Sequence, residues 1–258
     1  MTRSQHKDND VAVPSTESLP DHAGESYLAV LGRLHRVLSP KSYFEIGTKA
    51  GESLKLAKCP TVAVDPKFVL DLPHVLQGKS ICALYETTSD DFFADVDPRT
   101  IFRRPIDLAF LDGMHRCEFL LRDFMNTERS CRPNSIIALH DCIPVDHEMT
   151  RRDAPGHALA PHRGDWWTGD VWRTAIALKE FRPDLRITAL DAQPTGLLLV
   201  TNLDPASTTL RQHYAKILDW MFARALSEYT LARLHADLGI ESTAAIASDE
   251  QVTARFWL

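Results

Sequence analysis

The sequence has few cysteines, and their spacing does not suit a disulfide framework. Among 258 residues there are five cysteines, and no two of them form a Cys-x-x-Cys pair. An odd number of cysteines scattered through core-like segments is typical of structural thiols in a reducing compartment. They are Cys59, Cys82, Cys117, Cys131 and Cys142.

Long hydrophobic runs are also missing. No stretch reaches the roughly 18 uninterrupted apolar residues of a membrane span, which argues against a membrane protein. The segment from Met1 to about Gly24 is polar and has no apolar core of the signal-peptide kind. We therefore expect a cytoplasmic protein in which residues 1–24 form a flexible tail.

Positive charge is in deficit as well. The formal net charge is −6 at pH 7, so the chain offers no basic field that would attract a polyanion. This argues against a nucleic-acid substrate and makes small molecules the expected acceptors. With 44% hydrophobic residues, a chain of this length can bury the core of one large domain.

The order of apolar segments predicts an α/β fold. A helical pattern from Tyr27 to Leu38 ends before Pro40, and short apolar runs follow it. Runs that are bounded by turn residues and separated by stretches long enough for a helix are typical of buried parallel strands. The runs are Ser42–Ile46, Thr61–Val64, Ser80–Tyr85, Ile106–Leu111 and Ser135–Leu139.

The last two strands are predicted to form an antiparallel hairpin. They lie near Leu185–Leu190 and Gly196–Thr201, and only a short turn through residues 193–195 joins them. A parallel crossover needs about a dozen residues, so a turn this short requires antiparallel pairing. The predicted fold is therefore a Rossmann-like three-layer sandwich with a seven-stranded, mostly parallel sheet, spanning residues 25–204.

A helical extension is predicted over residues 205–258. Before it, a polar segment runs from Asp141 to about Thr168, and a helix runs from about Gly169 to Phe181. The main helix of the extension, residues 206–238, is either continuous or broken and carries an apolar stripe, which favours core packing or a homodimer face. The stripe consists of Tyr214, Ile217, Leu218, Met221, Phe222 and Ala225.

A glycine-bracketed turn follows the first predicted strand. Gly47 and Gly51 lack β-carbons, so a ligand can approach the backbone, and the helix expected after them offers unpaired N–H groups to an anionic group. Lys49 occupies the middle position, so the turn is not the Gly-x-Gly-x-x-Gly of a dinucleotide fold and argues against NAD. The alternative is that both glycines only tighten the turn.

Two polar positions beyond the next strands extend this pattern. Asp65 closes the second strand eighteen positions after Gly47, near the roughly 20-residue offset at which an acid meets a ribose. Ser89 follows the third strand, where it either contacts an adenine edge or caps the next helix. These positions favour a nucleoside ligand.

Six motifs, in their order along the chain, resemble those of class I S-adenosylmethionine-dependent methyltransferases. They are FEIGTKAGESL, VAVDP, TTSDDFF, IDLAFLDGMHRCEFLLRDF, SIIALHDC and TGDVWRTAIAL. They are most similar to the bacterial branch of methyltransferase family 24, whose fourth strand ends Asp-Gly-x-His and whose fifth ends His-Asp. The resemblance covers about Tyr43 to Val200. It implies that the first acid and the glycine turn hold the methionine end of the cofactor and that Asp65 holds the ribose. The implied cofactor residues are Glu45, Gly47, Thr48, Gly51, Asp65, Ser89 and Asp112.

Four polar residues follow the fourth and fifth strands: Asp112, His115, His140 and Asp141. Neighbouring strands lie about 4.8 Å apart, so these side chains can meet at the carboxyl edge of the sheet. They could bind a divalent cation, or orient and deprotonate a hydroxyl. Asp141, His140 and His115 are the catalytic candidates, and Asp112, His140 and Asp141 are the metal candidates. The alternative is that Asp112 caps the next helix while His140 bonds within the core.

The resemblance favours a metal, because related O-methyltransferases bind magnesium through carboxylates at these strand ends. This sequence differs at two places: His140-Asp141 replaces an Asp-Asp pair, and Met114 replaces an acid that is the base proposed for the relatives. Because magnesium prefers oxygen ligands and imidazole suits other metals, magnesium, manganese, iron and zinc all remain candidates.

The polar segment after Asp141 carries an aromatic pair, Trp166 and Trp167. These tryptophans either cover an acceptor or pin the segment to the body of the domain. Asp170 opens the following helix, where capping explains it, with a ligand role as the alternative. The other polar residues of the segment are His147, Arg151, Arg152, His157, His162 and Arg163.

The sequence thus predicts methyl transfer to the oxygen of a small-molecule or sugar-like acceptor, with S-adenosylmethionine as the cofactor. Two alternatives remain open: a cofactor-fold binding module without turnover, suggested by Met114, and a metal-dependent hydroxylase-like relative, suggested by the His/Asp cluster. The acceptor itself lies beyond a sequence argument, because specificity resides in the loops.

Overall fold

The structure is a computed structural model and describes residues 18–154, 161–226 and 228–258. Within these residues, seven strands form one sheet in the order β3-β2-β1-β4-β5-β7-β6. Strands β1 to β5 are parallel, and β7 pairs antiparallel with both β5 and β6. This confirms the predicted sandwich and hairpin. The strands are β1 Tyr43–Ile46, β2 Thr61–Asp65, β3 Cys82–Glu86, β4 Ile106–Leu111, β5 Cys131–His140, β6 Arg186–Leu190 and β7 Leu197–Thr201.

Helices cover both faces of the sheet because alternate strand residues point to opposite sides. Phe44 lies in a core shared with α3, α5, α6, α8 and α9, whereas its neighbour Tyr43 lies in a core shared with α1 and α10. The helices are α1 Tyr27–Leu38, α2 Leu72–Leu76, α3 Ser89–Asp95, α4 Pro98–Phe102, α5 Cys117–Glu128, α6 Trp172–Phe181, α7 Thr209–Gln212, α8 Tyr214–Phe222, α9 Leu231–Leu238 and α10 Asp249–Arg255.

The connection after β1 differs from the sequence prediction. Instead of a helix, it contains a single 3₁₀ turn, Leu54–Leu56. Residues 47–60 must make the glycine turn and reach β2, which starts immediately after Pro60, so no room is left for several helical turns. The predicted row of helical N–H groups facing a ligand is therefore wrong for this chain.

The predicted tail boundary at residue 24 is also wrong. Residues 1–17 lie outside the described residues, but residues 18–24 pack on the segment that follows β5. The Leu19 N–H donates to the Val145 carbonyl at 2.7 Å, and the buried His22 donates through Nε2 to the Ile143 carbonyl at 2.9 Å. The guanidinium of Arg163 adds a charged anchor, because it donates to Asp21 at 2.5 Å.

The C-terminal extension is broken rather than continuous: α7, α8 and α9 occupy the range predicted for the main helix. Ile217 and Met221 of the apolar stripe are fully buried, so core packing is confirmed for these two residues, while the homodimer face stays a prediction. The final helix, α10, was missed, although Ser248 and Gln251 form a capping box at its start.

None of the helices in the described ranges is long and apolar enough to cross a bilayer.

Candidate active site

The four polar residues predicted to meet do so at the carboxyl ends of β4 and β5. His115 Nε2 lies 3.1 Å from Asp141 Oδ2 and 3.5 Å from Asp112 Oδ1. His140 Nδ1 lies 3.2 Å from Asp112 Oδ1 and 3.4 Å from Asp141 Oδ1. The convergence follows from the parallel pairing of β4 with β5, which brings their last residues to one edge.

Neighbouring loops fix two of these side chains. The Thr195 hydroxyl, in the turn before β7, donates to Asp141 Oδ1 at 2.5 Å. His115 donates through Nδ1 to the Trp167 carbonyl at 2.6 Å, which turns its Nε2 toward the carboxylates. Asp141 adopts a left-handed backbone conformation, with φ +59°, that non-glycine residues rarely occupy. Strained backbone of this kind is concentrated at functional sites.

The charges in the cluster stabilise one another. Burial alone would lower the pKa of His115, but the carboxylates of Asp141 and Asp112 outweigh it and raise the pKa to about 9. Burial likewise opposes charge on His140, yet the same two carboxylates raise its pKa to about 10. Burial would raise the pKa of Asp112, but His140 and His115 hold it below its usual range. The two carboxylates therefore favour the protonated form of both imidazoles.

The geometry groups His115, rather than the predicted His140, with the two carboxylates as a set that could hold a cation. One ligand atom from each of Asp112, His115 and Asp141 lies within 4.8 Å of the other two. His140 instead directs Nδ1 at the carboxylates, while its buried Nε2 has no hydrogen-bond partner among the described residues. A set of two oxygens and one nitrogen fits manganese, iron or zinc at least as well as magnesium. The alternative in which Asp112 caps α5 is wrong, because Asp170 supplies that acceptor.

The glycine turn is shaped by backbone packing. Gly47 has φ +86°, and a β-carbon there would lie 1.8 Å from the Asp112 carbonyl oxygen. Gly51 has φ +80°, and a β-carbon there would lie 2.6 Å from Val75 Cγ1. Packing thus supports the interpretation in which both glycines tighten the turn, and their contact with the cofactor stays a prediction. Beside the turn, the buried Thr48 hydroxyl and Glu45 Oε1 make no hydrogen bond of good geometry to the described residues, although Thr48 and Ser53 lie close enough to Glu45 to oppose the rise in its pKa that burial causes. A polar ligand there would add the missing hydrogen bonds.

Asp65 lies where predicted, but backbone groups already use its carboxylate. The N–H groups of Lys49 and Lys67 each donate to one of its oxygens at 2.7 Å. Each oxygen retains a second lone pair for a ribose hydroxyl. Asp65 therefore holds the glycine turn and the segment after β2 together, and the ribose contact stays a prediction.

The cap of α3 is Thr88 and not Ser89, which corrects one of the two interpretations of Ser89. Thr88 accepts a hydrogen bond from the Asp91 N–H at 3.2 Å. Ser89 is instead the first residue of the helix. Its side chain hydrogen-bonds to Asp123, which lowers the pKa of that carboxyl, but burial has the larger effect and raises the pKa to about 7. The adenine contact of Ser89 is still untested.

The two tryptophans of the long segment have different roles. Trp166 packs with Val145 and Met149 and pins the segment. Trp167 also pins it, since its Nε1 donates to the Arg151 carbonyl at 2.7 Å, but its ring lies 4.9 Å from the His115 ring, at the cluster. His157 lies outside the described residues.

The remaining polar residues of the segment serve mainly as anchors. Asp170 accepts from the Cys117 N–H at 2.9 Å and so caps α5, not the helix it precedes. Arg152 and Arg173 each donate to its other oxygen at 2.6 Å. Arg152 also donates to Glu118, so Asp170 is part of an ion-pair network and has a structural explanation.

Sequence reasoning missed two residues of the cluster's surroundings. The sequence pattern places Thr195 only in a turn and Tyr27 only in a helix. The Tyr27 ring lies 4.1 Å from the His140 ring. Neither residue has a motif signal, because each reaches the cluster from an element far away in sequence.

Glu45 gives a prediction about pH. Burial raises its pKa from 4.5 to about 7, against a hydrogen bond from the Tyr43 hydroxyl, and the charge of Asp112 adds to the increase. A raised pKa means that the stability linked to this group is fully present below about pH 4.5 and is lost as the pH rises through about 7. At roughly 1.4 kcal/mol for each pH unit, the loss is about 3 kcal/mol. We expect Glu45→Gln to exceed the wild type in free energy of unfolding at about pH 8 and to match it near pH 4.5. Urea denaturation across this range checks it, and parallel pH curves for the two proteins would contradict it.

Comparisons with known proteins agree with this architecture. Residues 22–142 match the family described as a methyltransferase domain. No curated protein matches the sequence. Among solved structures, the O-methyltransferase TomG from Streptomyces achromogenes, involved in tomaymycin synthesis and bound to SAM, is 17% identical with a TM-score of 0.51 over 69% of this chain and 79% of that one. The SAH-bound methyltransferase PaMTH1 from Podospora anserina is 16% identical with a TM-score of 0.48 over 69% and 78%.

At this identity, the likeness to TomG establishes a shared fold and nothing further. The match of residues 22–142 to a methyltransferase domain agrees with the resemblance of the sequence motifs.

Proposed function

We propose that this protein is an S-adenosylmethionine-dependent methyltransferase that acts on an oxygen of a small-molecule or sugar-like acceptor, with a divalent cation bound by Asp112, His115 and Asp141. The observation that carries the proposal is the meeting of two carboxylates and an imidazole at the carboxyl edge of the sheet. That edge is where open α/β sheets bind their ligands. The structural neighbours described as O-methyltransferases support oxygen as the acceptor atom.

The cofactor residues proposed are those around the glycine turn. The unpartnered Glu45 Oε1 and Thr48 hydroxyl can bind the amino-acid end of S-adenosylmethionine, and Asp65 can accept from the ribose. Because Gly47 touches the carbonyl of Asp112, the turn and the cation cluster share a backbone contact. Donor and acceptor sites are therefore adjacent.

Methyl transfer is a direct displacement in which the bond from acceptor oxygen to methyl carbon forms as the carbon–sulfur bond breaks. The main task of the protein is to align these three atoms. A bound cation would lower the pKa of the acceptor hydroxyl and fix its direction. Asp141 is held for this role by Thr195, and His115 by Trp167. With Nε2 on the cation and Nδ1 donating to the Trp167 carbonyl, His115 has no nitrogen left for the hydroxyl proton, which therefore leaves to solvent.

The hydroxylase-like alternative finds less support in the side chains. Non-haem iron oxygenases commonly bind iron through two imidazoles and one carboxylate. Here the set that could hold a cation comprises one imidazole and two carboxylates, because His140 does not join it. The donor set therefore favours a cation that activates a hydroxyl.

Cofactor binding is the first test. We expect calorimetric titration to show that S-adenosylhomocysteine binds and that NAD does not, because the turn lacks the middle glycine of a dinucleotide site. Incubation with labelled S-adenosylmethionine and a panel of hydroxyl compounds, with and without Mn²⁺, then tests transfer. Preference for NAD would overturn the proposal, and cofactor binding without transfer to any acceptor would favour the binding module.

A further inference from the structure

Tyr27 lies behind the cation cluster. It is the first residue of α1, and its ring centroid is 4.1 Å from that of His140, with the planes inclined at 42°. Phe110 of β4 completes the group, 5.9 Å from both Tyr27 and His140. His140 is therefore close to two aromatic rings and to the carboxylates of Asp112 and Asp141.

The orientation of His140 is not set by hydrogen bonds on both nitrogens. Groups that hydrogen-bond to metal ligands, as His140 does to Asp112, orient those ligands and must themselves be held in place. Here Nδ1 donates to Asp112 Oδ1 at 3.2 Å, but the buried Nε2 has no partner in the described part of the chain. Ring packing must therefore supply the orientation that a second hydrogen bond supplies elsewhere.

The position of Tyr27 is itself tied to the cluster. Its backbone N–H donates to the Gln193 carbonyl at 2.9 Å. Two residues later in the same turn, the Thr195 hydroxyl donates to Asp141. One turn thus holds both the aromatic ring behind His140 and a carboxylate in front of it. Burial, with the charges of Asp112 and Asp141, raises the pKa of Tyr27 above its ordinary value, so the ring stays neutral.

We propose that Tyr27 is a positioning residue whose ring holds the His140 imidazole in the orientation that keeps Asp112 and Asp141 in place for a divalent cation. The proposal rests on the proposed cation site. The ring, rather than the hydroxyl, is proposed to do the positioning, because the ring centroids of Tyr27 and His140 are only 4.1 Å apart.

The test compares Tyr27→Phe, which keeps the ring, with Tyr27→Leu, which removes it. We expect Tyr27→Phe to bind Mn²⁺ within about twofold of the wild type and Tyr27→Leu to bind it at least about tenfold more weakly, the effect typical of residues that orient metal ligands. Affinity for S-adenosylhomocysteine should remain unchanged in both variants. Val37→Ala, on the same helix but away from the cluster, controls for a general loss of helix stability.

A second measurement separates this proposal from the cation site. In the metal-free protein, the ¹⁵N resonances of His140 should match the wild type in Tyr27→Phe and shift in Tyr27→Leu. Failure of the wild type to bind Mn²⁺ would remove the cation site, while the His140 resonances would still test Tyr27. Unchanged resonances in Tyr27→Leu, or equal changes in the two variants, would overturn the positioning role.

Discussion

Replacing Asp141 with Ala is expected to reduce methyl transfer by about 10²–10³-fold, the range found when one group that stabilises transition-state charge is removed. The carboxylate is shared by His115, His140 and Thr195, and its charge contributes most to raising the pKa of both imidazoles. Without it, the set that could hold a cation retains one carboxylate and one imidazole. Affinity for S-adenosylhomocysteine should change little, because Asp141 lies at the end of β5 and the glycine turn follows β1. Single-turnover rates and calorimetry on the same preparation measure both quantities.

Two further variants sharpen this result. Asp141→Asn keeps the shape and removes the charge, so it should lose Mn²⁺ binding as completely as Asp141→Ala does. Asp153→Ala changes an exposed acid near the N-terminus of α5, and it should leave both Mn²⁺ binding and methyl transfer unchanged. If Asp141→Asn transfers methyl groups at the wild-type rate, the carboxylate charge plays no part in the reaction.

The fold could be predicted from the sequence because the patterns that indicate its strands and turns are local. Each parallel strand is a short apolar run, and residues such as Phe44 and Tyr43 can alternate between two cores only if both faces are covered. The short turn before β7 fixed the antiparallel pairing. The helix expected after the glycine turn does not form, because the segment between that turn and β2 is short. The length of this segment outweighs the helix propensity of its residues.

Only part of the candidate site could be predicted from the sequence. Asp112 and Asp141 follow adjacent strands, so their meeting is a consequence of topology that sequence order reveals. Which imidazole joins them is a matter of side-chain direction, and the Trp167 carbonyl decides it by orienting His115. Tyr27 and Thr195 come from elements with no motif, so no pattern of spacing could have placed them at the cluster.

The two glycines of the turn look equivalent in the sequence, but the structure distinguishes them. Both have positive φ, so an alanine at either position carries the left-handed penalty of about 1–2 kcal/mol. At Gly51 the added β-carbon meets Val75 and Leu70 side chains, whose tips can move. At Gly47 it would lie 1.8 Å from the Asp112 carbonyl oxygen, and backbone directly after the buried strand β4 cannot yield so easily.

We therefore expect Gly47→Ala to lower the free energy of unfolding by about 4 kcal/mol or more, and Gly51→Ala to lower it by about 2 kcal/mol. The consequence for function should be larger still at Gly47, because a displaced Asp112 backbone moves a carboxylate out of the cation cluster. Gly47→Ala should lose Mn²⁺ binding although every proposed ligand is intact, whereas Gly51→Ala should retain it. Urea denaturation and Mn²⁺ calorimetry on both variants provide the comparison. Equal losses at the two positions would mean that the contact between Gly47 and Asp112 does not connect the glycine turn to the cluster.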